Sequence, residues 1–197
     1  MSNGRFLLIG TIVTAIALFA WQSLSNTVIP WHAATMREFA NNDGVVQAIR
    51  ASAPENGVYF SRQGILASVA MTPDLIDKTT LIGQMLGKQL IINLLVAFLM
   101  ALVVLRLRPT STVRAGTALA IAGLAGSALI ELSNWNWYGF AASWSIVNVI
   151  DNTIQWFIAG FVLALLMRRL TPAALSGAVS VPASAGMGAS ERPVSTR

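Results

Sequence analysis

Three ionisable side chains lie in or beside apolar runs that are nearly long enough to cross a membrane: Lys88, Glu131 and Asp151. A charge inside a bilayer is expensive, so such residues pair with one another or mark a path for protons or solutes. We expect Lys88 to form a structural ion pair with Glu131 or Asp151. A proton or small-solute site is the alternative interpretation, because carboxylates beside amides are typical of such paths.

Amide side chains accompany Asp151 on one helical face. Asn148, Asp151, Asn152 and Gln155 follow the spacing i, i+3, i+4, i+7, which places them on one stripe of a helix. Lipid would not tolerate such a stripe. The spacing therefore predicts that this face points into a bundle of helices.

Aromatic side chains with a polar edge gather near the same end of the apolar runs. The set consists of Trp31, Trp135, Trp137, Tyr138 and Trp144. Such rings anchor helices at the level of the lipid headgroups, which explains their placement without any binding role. Because Trp and Tyr are also favoured in contact surfaces, a docking surface for a partner or a flat hydrophobic ligand is the alternative.

The sequence lacks motifs that would indicate an enzyme or a metal site. His32 is the only histidine, no carboxylate stands at a metal-ligand spacing from it, and the chain has no cysteine. No G-x-S-x-G, P-loop, G-x-G-x-x-G or H-E-x-x-H motif occurs. We therefore expect no catalytic residue, cofactor or metal, and an enzyme acting on lipid headgroups ranks third among the candidate functions.

Composition indicates a membrane protein. The 197 residues are 55% hydrophobic and 11% charged, with a mean hydropathy of +0.64, whereas soluble proteins average about 25% charged. The net charge of +5 would favour nucleic acid only if the basic residues formed a patch, and most arginines instead flank apolar runs. A nucleic-acid partner is not expected.

Four apolar runs predict four transmembrane helices, since about 20 apolar residues cross a bilayer core. The runs cover residues 6–24, about 81–105, 115–132 and about 145–167. The first could instead be a cleaved signal peptide, but it is long for one and contains Trp21. On the third run, Gly116, Ala120, Gly123 and Ser127 form a small-residue seam that predicts close packing of the third and fourth helices.

The chain divides into a transmembrane helix in residues 1–24, an extracytoplasmic insert in 25–80, three transmembrane helices in 81–169 and a disordered tail in 170–197. Within the insert, apolar spacing predicts a helix over 35–53. The segments 58–60 and 65–71 predict a hairpin. We expect the hairpin to rest on that helix or on the membrane domain, because an isolated hairpin is marginal in water.

Arginines indicate the orientation. Those that flank the runs on one side are Arg5, Arg106, Arg108, Arg114, Arg168 and Arg169. By the positive-inside rule this side is cytoplasmic, which predicts that both termini lie inside and the insert lies outside. Counting back from these arginines places Lys88, Glu131, Asp151 and Gln22 in one polar layer near the outer interface, with Asn93 and Gln155 a turn deeper.

Three short segments carry a resemblance to other proteins: VIPWH at 28–32, APENGVY at 53–59 and NWNWYGF at 134–140. With them the chain resembles, over most of residues 1–170, a group of uncharacterised small bacterial inner-membrane proteins with four helices and one outer insert. The resemblance implies this architecture and a bacterial inner-membrane location. Because the group has no assigned activity, the resemblance implies no catalytic residue.

These observations predict an all-α membrane protein, a four-transmembrane-helix bundle with a small α/β extracytoplasmic insert. The expected function is that of a non-enzymatic accessory subunit, embedded in the lipid bilayer, whose outer face docks another membrane or periplasmic protein. The alternative is a small permease or ion-coupled carrier with a polar site at the outer interface, formed by Lys88, Glu131, Asn148 and Asp151.

Overall fold

The computed structural model describes residues 3–69 and 78–170, with the backbone alone for residues 78–81. In chain order its elements are α1 (Asn3–Thr27), α2 (Asn42–Ser52), β1 (Gly57–Phe60), β2 (Leu66–Val69), α3 (Lys78–Leu107), α4 (Thr112–Tyr138) and α5 (Ala142–Leu170). The predicted tail, apart from Leu170, lies outside the described residues, as does the end of the segment 65–71.

Four helices of the described chain are long and apolar enough to cross a membrane: α1, the Ile82–Leu107 part of α3, α4 and α5. This confirms a mostly helical fold compatible with a membrane helical bundle. Between 22 and 28% of the residues in the most apolar stretch of each helix are buried within the protein. Most of each helix surface therefore faces outward, which suits lipid rather than water as the surroundings.

The long helices contact one another in the order α4, α5, α1, α3. α1 and α5 are thus the inner pair, and their fully buried side chains include Phe6, Leu18 and Leu163. Because consecutive membrane helices run in opposite directions, the start of α1 and the end of α3 share one end of the bundle. We call this the arginine end, and the opposite end, where α1 finishes and α5 begins, the insert end.

The small-residue seam on α4 packs against α5, as its spacing predicts. Gly116, Gly123 and Ser127 are buried in this contact. A Cβ atom added at Gly123 would overlap the Trp156 ring, and one at Gly160 would lie 2.5 Å from the Ala115 carbonyl oxygen. Small residues therefore let the two backbones approach closely, which is how helices associate in lipid.

The aromatic segment that follows the apolar run 115–132 is helical as far as Tyr138. α4 continues six residues beyond Leu132 and ends at Tyr138. Its end is set by Gly139, whose φ of 69° lies in the left-handed region, and the N–H groups of Gly139 and Phe140 both donate to the Asn134 carbonyl. The helix continues beyond the apolar run because polar side chains are compatible with a helix. It ends only at the left-handed Gly139.

The insert differs from its prediction in the extent of its helix. α2 starts only at Asn42, because the Asn41 side chain caps it by accepting a hydrogen bond from the Gly44 N–H at 3.0 Å. The hairpin is confirmed over the described residues. β1 and β2 pair antiparallel, with Val58 opposite Ser68 and Phe60 opposite Leu66. No other described element packs extensively on the hairpin, so the support expected for it is not seen there.

Candidate functional site

The most elaborate polar arrangement surrounds the Asp151 carboxylate at the insert end. Asp151 is only 7% exposed. Its Oδ1 accepts a hydrogen bond from the Trp21 Nε1–H at 2.7 Å, and its Oδ2 lies 3.1 Å from His32 Nε2. Both carboxylate oxygens therefore have partners, one from α1 and one from the segment that follows α1.

A tight turn after α1 brings His32 back to the bundle. The N–H groups of Val28 and Ile29 both donate to the Leu24 carbonyl, at 3.0 and 3.1 Å, and the Ala34 N–H donates to the Pro30 carbonyl at 2.9 Å. The chain is therefore folded over the end of the helix instead of leaving it directly. His32 consequently meets a carboxylate 119 residues further along the sequence.

Ser25 lies in the same arrangement. The Trp31 Nε1–H donates to both the Ser25 carbonyl and the Ser25 Oγ, each at 3.1 Å. The last carbonyls of a helix have no partner within it, and Trp31 supplies one here. The Ser25 Oγ also lies 3.4 Å from His32 Nε2, so the serine links the two residues of the turn.

Two tryptophans contact the imidazole, and a third packs against one of them. The His32 ring lies between Trp31 and Trp144, with centroid separations of 5.8 and 6.0 Å and interplanar angles of 83° and 69°. Trp21 packs edge-on against Trp31 at 6.5 Å. These are the edge-to-face geometries that aromatic rings prefer. We call the set the histidine–aspartate cluster, and it consists of Trp21, Ser25, Trp31, His32, Trp144 and Asp151.

The cluster contains the residue types of a serine hydrolase but not the arrangement. In a catalytic triad the carboxylate binds Nδ1 of the histidine while the serine faces Nε2. Here Ser25 and Asp151 both approach Nε2. For the imidazole to donate to Asp151, Nε2 must carry the hydrogen, and it then cannot accept a proton from Ser25. The described residues also contain no group of three His, Asp or Glu side chains placed to hold a metal ion.

The ion pair predicted for Lys88 does not form. Lys88 is exposed, and no carboxylate of the described chain lies within ion-pairing distance of it. Glu131 is half-buried on α4. Asp151 instead faces α1 and uses neutral or weakly basic donors, because α5 packs along α1 far more extensively than along α3.

The amides predicted to share the face of Asp151 form no hydrogen bond with the side chains of the histidine–aspartate cluster. Asn148, Asn152 and Gln155 are half-buried on α5. The Asn148 Nδ2 donates to the Trp144 carbonyl of its own helix at 3.0 Å. The stripe therefore faces partly inward, and Asp151 is its only fully buried member.

A second polar group links α1 to α3. The Gln22 Oε1 accepts hydrogen bonds from Asn93 Nδ2 at 2.8 Å and from Gln89 Nε2 at 3.3 Å, and Gln89 also donates to Asn93 Oδ1 at 3.1 Å. Asn93 and Gln22, which the residue count places about one turn apart in depth, are therefore joined through their side chains. We call Gln22, Gln89 and Asn93 the amide cluster.

The predicted aromatic surface falls into two parts. Trp31 and Trp144 are half-buried in the histidine–aspartate cluster. Trp135, Trp137 and Tyr138, in the last turns of α4, are exposed, Trp137 to 77%. Only the second part is available to a partner.

Sequence reasoning missed Trp21 and His32 as partners of Asp151, although one signal was present. Trp21 lies 16 residues after Arg5, and Asp151 lies 17 residues before Arg168, so the same depth count places them together. An indole N–H needs an acceptor in a membrane interior, and the carboxylate supplies it.

The sequence matches no protein-family model, no curated protein and no solved structure.

Proposed function

We propose that this protein is a non-enzymatic membrane subunit that docks a partner protein at its insert end. The supporting observation is the uncovered face of the hairpin. Val58 and Phe60 are 72% and 73% exposed, and Leu66, which pairs with Phe60, lies on the same face. A two-stranded sheet is marginal in water on its own, and exposed apolar faces of this kind mark contact surfaces.

The surroundings of the hairpin favour a protein partner over lipid as the cover. Charged side chains of the insert, among them Arg37, Glu38, Asp43 and Arg62, are exposed. A segment that carries these charges stays in water rather than entering the apolar part of a bilayer. The exposed rings at the end of α4 add a second apolar surface, although anchoring at the headgroups also accounts for them.

The histidine–aspartate cluster holds the first residues of the insert against the bundle. It ties the first residues after α1 to α5 through hydrogen bonds that leave neither carboxylate oxygen free. The start of the insert is thereby held in one place on the bundle. The part of the insert next to the bundle therefore needs no ordering when a partner binds, which reduces the cost of binding.

Orientation and location belong to the same proposal. The arginine end is cytoplasmic by the positive-inside rule, so the insert faces the opposite side. In a bacterial inner membrane that side is the periplasm, and the partner is a second membrane protein or a periplasmic protein.

The carrier alternative has weaker support. Both oxygens of Asp151 are occupied by protein donors. On the arginine-end side of Asp151, the membrane helices carry no ionisable residue until the flanking arginines, whereas pathways for protons use a chain of such groups.

The test is native mass spectrometry of the tagged protein, extracted from its own membrane in mild detergent. We expect a stoichiometric second protein with the wild type, and its loss when Val58→Ser and Phe60→Ser are combined. The matched control combines Arg62→Ser and Gln63→Ser, two exposed positions in the turn of the same hairpin, and it should retain the partner. Undiminished partner with the Val58 and Phe60 variant, or no partner with the wild type, would reject the proposal.

A further inference from the structure

A pocket of about 310 Å³ lies at the arginine end, where the chain passes from α3 to α4. Its apolar wall includes Val104 and Leu107 from α3 and Ala118 and Leu119 from α4. Arg108 and Arg114 line the same pocket. The volume is at the lower end of the range of about 300–1,000 Å³ for small-molecule sites. The pocket therefore combines two cations with an apolar wall contributed by two membrane helices.

Within the described residues, neither arginine is neutralised by a carboxylate. Both are exposed, and no carboxylate of the described chain lies within ion-pairing distance of either. The sequence places no acidic residue among the arginines that flank the membrane helices at this end. Guanidinium groups bind phosphate through paired hydrogen bonds, so a phosphate is the anion that suits them.

The backbone conformation of Arg108 is a second unusual feature of this pocket. Its φ is 43°, in the left-handed region, and it is the only described residue other than glycine with a positive φ. This conformation is costly for a residue with a side chain and costs glycine little. An arginine therefore occupies a position where glycine would be less strained, and its side chain lines the pocket.

We propose that this pocket binds one anionic phospholipid, with its phosphate between Arg108 and Arg114 and the first part of an acyl chain along the wall formed by Val104, Leu107, Ala118 and Leu119. A soluble phosphate ester would satisfy the arginines but leave the apolar wall uncovered. Basic pockets between membrane helices on the cytoplasmic side are suited to anionic lipid headgroups. The inference rests on the proposed orientation, which makes the arginine end cytoplasmic, but not on the docking of a partner at the insert end.

The test is a lipid titration of the delipidated full-length protein followed by native mass spectrometry. Phosphatidylglycerol is compared with phosphatidylcholine of the same acyl chains, which carries the same phosphate but no net charge because of its choline cation. The two arginines attract the net negative charge of phosphatidylglycerol by about 1 kcal/mol each, so we expect it to bind about thirtyfold more tightly than phosphatidylcholine. Combining Arg108→Gln with Arg114→Gln should abolish this preference.

The matched control combines Arg168→Gln with Arg169→Gln, which removes the same charge at the same end without touching the pocket. It should change the dissociation constant by less than about twofold. Equal loss in both double variants would show attraction to the surface charge as a whole and would overturn the proposal. Equal binding of phosphatidylglycerol and phosphatidylcholine to the wild type would also overturn the proposal.

A second pair of variants tests the apolar wall. Ala118→Phe fills the pocket while leaving both arginines in place, and Ala122→Phe adds the same ring one turn along α4, outside the pocket. We expect only Ala118→Phe to weaken phosphatidylglycerol binding. If it has no effect, or if glycerol 3-phosphate displaces the lipid at similar concentrations, the pocket binds a phosphate ester without an acyl chain.

A single substitution separates binding from folding. Arg108→Gly removes one guanidinium and relieves the left-handed strain, so we expect an unchanged or higher unfolding temperature together with weaker phosphatidylglycerol binding. Wild-type affinity in this variant would show that Arg108 does not contact the lipid.

Discussion

The two polar clusters at the insert end and the two pocket arginines at the opposite end use polar side chains in opposite ways. At the insert end, Asp151 is buried and both of its oxygens accept hydrogen bonds, and the amides of the amide cluster bind one another. At the arginine end, Arg108 and Arg114 are exposed beside an apolar pocket and have no described carboxylate partner. Paired polar groups hold a structure together, whereas unpaired ones remain available to a ligand.

This contrast makes Asp151 a weaker candidate for a functional residue than its position in the sequence indicates. The sequence draws attention to Asp151, because a carboxylate in an apolar run is expensive. In the structure both oxygens of Asp151 have protein partners, which favours a structural role. The hairpin face and the arginine-end pocket are among the surfaces left uncovered.

The largest effect is expected from Asp151→Ala, which removes the acceptor shared by Trp21 and His32. Breaking a buried pair by removing one partner typically costs about 3–5 kcal/mol, because the other partner is left uncompensated. We expect a loss of this order in the free energy of unfolding, measured by denaturation in detergent micelles.

Glu131→Ala is the control for that experiment, since it removes the other carboxylate of the membrane helices at a half-buried position with no described ion-pair partner. Its expected cost is below about 1 kcal/mol. If Asp151→Ala and Glu131→Ala lowered the free energy of unfolding equally, the histidine–aspartate cluster would not stabilise the insert end.

A smaller effect is expected from Trp21→Phe, which keeps an aromatic ring but removes the donor to Asp151 Oδ1. Hydrogen bonds to charged groups contribute about 1.5–3 kcal/mol. We expect a loss of about 2 kcal/mol in the free energy of unfolding. Trp137→Phe, at an exposed ring, should cost less than about 0.5 kcal/mol, and an equal cost for both would mean that the Trp21 hydrogen bond adds nothing.

Local sequence patterns predicted the features that depend on near neighbours in the chain. Long apolar runs indicated four membrane helices, and the spacing of Gly116 and Gly123 predicted the α4–α5 contact. The segments around Phe60 predicted a hairpin. In each case the information lies within about one helix or one turn, where periodicity is a direct physical signal.

The histidine–aspartate cluster could not be obtained in this way. His32 lies in a turn outside the membrane helices, and its partner is 119 residues away. Its position depends on the turn in which backbone N–H groups donate to the Leu24 and Pro30 carbonyls. No periodic pattern in the sequence predicts that turn. Electrostatic reasoning favoured Lys88 because it carries a full charge, whereas helix packing brought α1 to Asp151 and left Lys88 exposed.

The smallest effect is expected from Lys88→Ala, and it tests the comparison most directly. If the insert end pairs its polar groups only in its interior, an exposed lysine without a described carboxylate partner should contribute less than about 0.5 kcal/mol to the free energy of unfolding. A double-mutant cycle of Lys88→Ala with Glu131→Ala should give a coupling energy near zero, because residues that do not touch act independently. A coupling of about 1 kcal/mol or more would mean that the two residues do form an ion pair. The insert end would then hold a charged pair at its surface. The contrast between its buried polar clusters and the exposed arginines of the opposite end would no longer describe Lys88.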